Sequence, residues 1–163
     1  MNLRQVTICV AAVLATTAGC RAHAPGFSAP ACNLPFEMPQ VARPAIPAHS
    51  VSVADFGGTG DGYTLNTAAF ADAIAALTAK GGGRVVVPEG VWYTGPIVLK
   101  DNIELHLEQN AVIVFSSDKS LYPLVETTFE GLNTLRCQSP LSARGAKNVA
   151  VTGRGVIDGN GDA

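Results

Sequence analysis

Two glycine clusters set the strongest limit on what this chain can fold into. Gly57-Gly-Thr-Gly-Asp-Gly62 and Gly81-Gly-Gly83 interrupt regular structure, because glycine fits backbone angles that other residues avoid. Between them there is room for one helix. Ahead of the first cluster, Val51-Ser-Val-Ala-Asp55 alternates apolar and polar residues, as a half-buried strand does. Asn66 is placed as the helix N-cap, its side chain accepting a bond from an otherwise unpaired backbone N–H. Leu65 and Phe70 are spaced for a hydrophobic staple around that cap. Phe70, Ala73, Ile74 and Leu77 recur at helical spacing and form one apolar face. Burying Phe70, Ile74 and Leu77 contributes roughly 5–9 kcal/mol in transfer terms, before ordering entropy is subtracted. Beyond the second cluster, Arg84-Val-Val-Val87 and Val91-Trp-Tyr93 read as strands joined by a turn at Pro88-Glu-Gly90.

Short apolar pieces separated by turns follow. They are Ile97-Val-Leu99, Ile103-Glu-Leu-His-Leu107, Ala111-Val-Ile-Val-Phe115, Leu141, Val149-Ala-Val151 and Val156-Ile157. Residues 116–137 are less regular and read as an excursion from the body. The pieces carry a weak internal echo. Asn102-Ile-Glu-Leu105 and Asn148-Val-Ala-Val151 share one form, and each precedes a turn and another strand, Ala111-Val-Ile113 and Gly155-Val-Ile157. Asn tolerates left-handed backbone and suits a corner before a strand. Repeated corners and stacked aliphatics fit a parallel β-solenoid. A β-sandwich gives similar strand spacing, and periodicity alone leaves both open.

The N-terminal region reads differently. Residues 1–20 look like an export signal, with Arg4 followed by the apolar run Val6–Ala15, too short to span a bilayer. Thr17-Ala18-Gly19-Cys20 is similar to a bacterial lipobox, with Thr17 in place of the usual leucine. That makes Cys20 a lipidation candidate, and plain signal cleavage the alternative. Residues 21–50 carry Pro25, Pro30, Pro35, Pro39, Pro44 and Pro47, which forbid a regular helix and suit a linker. The β-rich domain is expected over 51–163. Cys32 and Cys137 could pair in an oxidising compartment or stay as two thiols, and Cys9 lies in the signal. The formal net charge is −2, so nothing points to nucleic acid, and an acidic polymer would need a local basic patch.

Asp55–Gly62, the helix, Gly81-Gly-Gly-Arg-Val-Val-Val-Pro-Glu-Gly90 and Thr94-Gly-Pro-Ile-Val-Leu99 together resemble the start of pectin-degrading right-handed parallel β-helix enzymes. Tyr122-Pro123, Phe129-Glu-Gly131, Ser139-Pro-Leu141 and the ending Gly153-Arg-Gly-Val-Ile-Asp-Gly-Asn-Gly161 narrow the resemblance to the polygalacturonase family of glycoside hydrolases. It covers roughly Val51 to Ala163. The first half is shared with pectate-lyase-like proteins and phage tailspikes. One departure is Leu65-Asn66, where many relatives carry two aspartates, a change expected to affect helix capping only. The resemblance implies a mainly β fold, a partial parallel β-helix with one N-terminal capping helix. It also implies hydrolysis of α-1,4-galacturonosyl links of pectin with inversion, by two carboxylates about 6.5–9.5 Å apart. No cofactor is implied. Family members carry these carboxylates in Asn-x-Asp and Asp-Asp motifs, with Gly-His-Gly and Arg-x-Lys nearby, downstream of the matched region. The sequence holds no Asp-Asp, Gly-His-Gly or Arg-x-Lys, and Asn160-Gly-Asp162 has the first spacing inside a turn motif. No catalytic residue is therefore transferred to any position. The expectation is an N-terminal portion, inactive alone. The alternatives are a non-catalytic β-helix module for polysaccharide binding or surface attachment, and a pectate-lyase-like protein.

Several residues invite other chemistry. The Gly57–Gly62 turn sits between strand and helix as phosphate loops do, yet it lacks the third glycine of a dinucleotide fingerprint and no Gly-Lys-Ser/Thr follows. It also resembles a calcium-binding glycine nonapeptide, but Asp61 stands one place early and the unit occurs once. Glu104, His106 and Glu108 share a strand face, but alternate residues lie nearly 7 Å apart, so a solvated face is expected rather than a metal site. Asp55, Asp61 and Asp158 read as turn or strand-end residues. Trp92 and Tyr93 read as coil-packing aromatics. Arg136, Arg144, Lys147 and Arg154 suit either a polyuronate or an ordinary charged surface.

Overall fold

Alternating aliphatic segments can bury one face only if other segments stack on them, and here they stack in parallel. The structure, a computed structural model, describes residues 42–161. The signal at 1–20, with Cys9 and the lipidation candidate Cys20, lies outside the described residues. So do Cys32 and most of the linker.

The first sheet orders β1 (Ser50–Ser52), β2 (Gly83–Val87), β5 (Ile103–Leu107) and β10 (Ala150–Gly153), every pairing parallel. The second places β6 (Ala111–Phe115) between β3 (Gly90–Thr94) and β11 (Val156–Asp158), again in parallel. A third short sheet pairs β4 (Ile97–Val98) with β9 (Leu141–Ser142). The chain visits the sheets in rotation, which makes a parallel β-helix. A sandwich of hairpins would pair neighbouring strands antiparallel, so that alternative falls. Helix α1 (Thr67–Thr78) buries Ala69, Phe70, Ala73, Ile74 and Leu77. These join Val85, Val87, Trp92, Ile97, Ile103, Leu105, Ala111, Ile113 and Phe115 in one core. On the last described rung Val151, Val156 and Ile157 are 47%, 56% and 40% exposed.

The internal echo is a physical register. Val151 pairs with Leu105 and Ile157 with Ile113. Asn102 and Asn148 both take left-handed backbone, φ 59° and 52°, and Asn148 Nδ2 donates to Asn102 Oδ1 at 2.9 Å. The corner residue thus does two jobs, tolerating the turn and stapling one rung to the next. Asn148→Ala is expected to cost about 1–2 kcal/mol from the backbone strain together with the lost bond. Asn148→Gly should recover most of the strain, and urea denaturation of the two variants separates the contributions.

Three local expectations need correction. The strand expected over Val51–Asp55 ends at Ser52 and passes into a 3₁₀ turn, Val53–Phe56. The polar residues that looked like a strand's outer face are a capping pair: Ser52 Oγ accepts from Ala54 N–H, and Asp55 accepts from Ser52 N–H. Asn66 does occupy the N-cap position, but its side chain makes no cap bond. Leu65 stays 45% exposed and makes no staple. Phe70 packs instead edge-on against Trp92, ring centroids 6.5 Å apart.

The excursion is an antiparallel hairpin of β7 (Leu124–Phe129) and β8 (Leu132–Cys137). Glu130 and Gly131 at its tip have φ 52° and 81°, the two positive values that a type I′ turn needs. Its base is tied to the body at Ser116. Tyr122 Oη donates to the Ser116 carbonyl at 2.7 Å, and the Tyr93 and Ser116 hydroxyls lie 2.6 Å apart.

Candidate functional site

The densest cluster of charged and polar side chains lies along the outer face of the first sheet. Register sets Arg84 of β2 beside Glu104 of β5, and His106 of β5 beside Thr152 of β10. Glu104 Oε2 accepts from Arg84 Nε at 2.9 Å. Glu104 Oε1 accepts from the Thr152 hydroxyl at 2.5 Å, and that hydroxyl lies 2.7 Å from His106 Nδ1. The Glu104 side chain is buried, so the solvated face expected for Glu104, His106 and Glu108 fails at Glu104, while His106 is half-buried and Glu108 exposed. Burial alone would raise the Glu104 carboxyl; the bond from Thr152, the bond and charge of Arg84 and the charge of His106 outweigh it and hold it below the usual carboxylate range.

This ladder is a brace between rungs. Glu104 accepts one bond on each oxygen, from Arg84 and from Thr152, so the carboxylate is held in place between its neighbours on β2 and β10. Glu108 follows the end of β5 and is exposed. No group of three or more His, Cys, Asp and Glu side chains suited to a metal ion occurs among the described residues. Sequence reading missed Arg84 and Thr152 as partners of Glu104. The signal was present: the Asn102/Asn148 echo fixes an offset that sets Thr152 opposite His106.

A folded carboxyl held low gives a signed expectation. The stabilisation is complete above the ordinary carboxylate value and is lost as pH falls through the depressed folded value. Glu104→Gln should therefore flatten the acid limb of the stability–pH curve below about pH 4.5, followed by urea midpoints.

The other candidates resolve into structural roles. Gly58 and Gly60 lie against the Trp92 indole: a Cβ at Gly58 would sit 2.9 Å from that ring, and one at Gly60 3.1 Å. Their lack of side chain serves packing, with no cradle for a phosphate. Asp61 accepts from Tyr63 N–H, Thr64 N–H and the Thr64 hydroxyl, bonds that lower its pKa to about 2 and make it a turn residue. Asp158 accepts from Asn160 N–H in the same manner, while Asp162 lies outside the described residues. Trp92 is 2% exposed. Two of the four basic residues are engaged locally. Arg136 stacks over Phe129 at 4.5 Å, and Arg144 donates to the Glu126 carbonyl. Cys137 is exposed.

No protein-family model matches the chain. A Vitis vinifera protein curated as "Probable polygalacturonase" is 39% identical over 123 residues, covering 70% of this chain and 25% of the relative. The crystal structure of a hyperthermoactive exopolygalacturonase from Thermotoga maritima superposes with a TM-score of 0.70. It is 46% identical and covers 74% of this chain and 27% of that one. The chain belongs to the polygalacturonase family. It spans about a quarter of the length of these relatives. A shorter match, 42% identical over 67 residues, links this polygalacturonase-family chain to the plasmin and fibronectin-binding protein A of Streptococcus pneumoniae, over 40% of this chain and 9% of that protein. The motifs that carried the resemblance have physical roles. Gly57–Gly62 packs on Trp92, and Gly153 sits where a Cβ would meet the Leu107 carbonyl oxygen at 1.8 Å. The family pattern in this region therefore builds coils.

Proposed function

We propose that this chain is part of an exported glycoside hydrolase that cleaves α-1,4-galacturonosyl links of pectin with inversion. The observation that carries the reading is the 46% identity with an exopolygalacturonase across a superposable parallel β-helix. The catalytic aspartates lie on further coils rather than on residues 51–163. This reading agrees with Glu104 being engaged on both oxygens. The domain follows a signal at 1–20 and a linker at 21–50. The protein acts at the periplasm or cell surface, through a lipid on Cys20 if the lipobox is used, or is secreted.

The test is a reducing-sugar assay on polygalacturonate. The chain alone should give no turnover, and a longer gene product that continues these coils should give turnover without calcium. Unsaturated products absorbing in the ultraviolet would indicate a lyase instead. The match to the pneumococcal binding protein favours one second reading, a non-catalytic β-helix module. Absence of in-frame Asp-Asp and Gly-His-Gly motifs in the downstream DNA would support it.

A further inference from the structure

The hairpin presents two outer strand edges, and they differ. Gln138 N–H donates to the Pro123 carbonyl at 2.9 Å, so hydrogen-bonded pairs continue at Val125/Arg136, Thr127/Thr134 and Phe129/Leu132. The main-chain groups of Glu126 on β7 and of Asn133, Leu135 and Cys137 on β8 therefore point away from the hairpin. On β7 the edge is blocked, because the Arg144 guanidinium donates to the Glu126 carbonyl. On β8 it is open: among the described residues β8 pairs with β7 alone. Apolar side chains are exposed on both faces of the ribbon, Leu124 at 65% and Leu135 at 60% on one face and Leu132 at 73% on the other. A two-stranded ribbon is marginal in water, and an open apolar edge is a template for another strand.

We propose that β8 is a self-association edge, pairing antiparallel with β8 of a second copy about a two-fold axis at Leu135. The strand is complementary to itself in one register. Centring on Leu135 sets Leu135 against its own counterpart and Asn133 against Cys137 of the second copy, so all three outward-pointing residues find main-chain partners. Arg136 then faces Thr134 of the second copy. Sliding two residues one way would set Arg136 against Arg136, and directly opposed like charges destabilise a sheet; sliding the other way would set Thr134 against Thr134 and leave Cys137 without a partner on the strand. The product is a four-stranded sheet, β7-β8-β8-β7, whose outer edges are the ones that Arg144 blocks. It therefore closes as a dimer rather than growing.

The experiment is sedimentation of the purified whole chain over a range of concentrations, with two variants. The expected result is a reversible monomer–dimer equilibrium whose dissociation constant rises about tenfold or more in Leu135→Lys, with the circular dichroism spectrum unchanged. Asn133→Cys should form, on oxidation, a covalent dimer whose peptide map shows residue 133 linked to Cys137. These residues are too far apart along one strand to join within a chain, yet within disulfide reach across the pairing. A chain that stays monomeric overturns the proposal. So does a dimer that ignores Leu135→Lys and yields no link from residue 133 to Cys137; such a dimer would use another face, such as the exposed Val151, Val156 and Ile157.

Discussion

Asn66→Ala is expected to destabilise the chain by about 3 kcal/mol or more, the range reached when a buried polar network is broken. Asn66 is 2% exposed and joins three segments. Its Oδ1 accepts from Thr59 N–H at 2.7 Å. Its Nδ2 donates toward the carbonyls of Thr59, Thr64 and Tyr93 at 3.0, 2.8 and 3.1 Å. Its own N–H also reaches the Tyr93 carbonyl at 2.9 Å. Alanine keeps the last bond and strands the rest, so Thr59 of the Gly57–Gly62 loop loses its tie to the start of α1, and the loop is left held to β3 by the Gly60 and Gly62 bonds to Val91. Asn66→Asp should be worse at neutral pH. It would aim a carboxylate at three carbonyl oxygens, and both that repulsion and burial raise its folded pKa. A raised pKa means the folded state binds the extra proton, so the Asp variant should recover stability as pH falls and lose it as pH rises. Urea midpoints across that range, read from the fluorescence of the single tryptophan, check both the size and the sign.

Asn66 also shows where sequence reading stops. Its position before a helical apolar face was legible, because capping and periodicity are local. Its chemistry was not, because two of its acceptors belong to a loop and a strand that only the fold brings close. The same division runs through the chain. Alternation, glycine clusters and the two Asn corners marked the rungs, while the pairing offset held in the Asn102/Asn148 echo went unused. Ser52 and Asp55 looked like a strand's polar face and proved to be a capping pair, since both patterns alternate over so short a span. Glu104 looked solvated because its cation, Arg84, lies twenty residues back. At the site level, the family motifs in this region are coil-building parts: glycines against an indole, asparagines in left-handed corners, a glycine under a carbonyl. The absence of catalytic motifs was legible at once, as a motif search needs no geometry.

Trp92→Ala is expected to cost about 3–5 kcal/mol, the range for emptying a buried aromatic site. Three neighbours depend on this ring. The indole packs edge-on against Phe70 of α1. Its Nε1–H donates to the Pro88 carbonyl at 2.8 Å, holding the turn between β2 and β3. Its face also carries Gly58 and Gly60, while Gly62 N–H and Gly60 carbonyl bond to Val91 at 2.7 and 3.0 Å. Removing it leaves a void that no single neighbour can fill, because helix, turn and loop are each fixed elsewhere. Trp92→Phe separates the terms. It keeps an aromatic ring for Phe70 but gives up the Pro88 bond and part of the platform, so an intermediate loss is expected. If instead Phe were as costly as Ala, the Pro88 bond and the lost part of the glycine platform would together carry the penalty, and the ring contact with Phe70 would be incidental. Thermal unfolding followed by circular dichroism, which does not need the lost fluorophore, distinguishes the two outcomes. The loop glycines give the reverse test. Gly60→Ala would force a Cβ to within 3.1 Å of the Trp92 indole in the wild-type background, and its penalty should shrink when residue 92 is alanine. Such non-additivity is the signature of groups in direct contact, and it would show that the glycine cluster opening this domain is kept free of side chains by the ring beneath it.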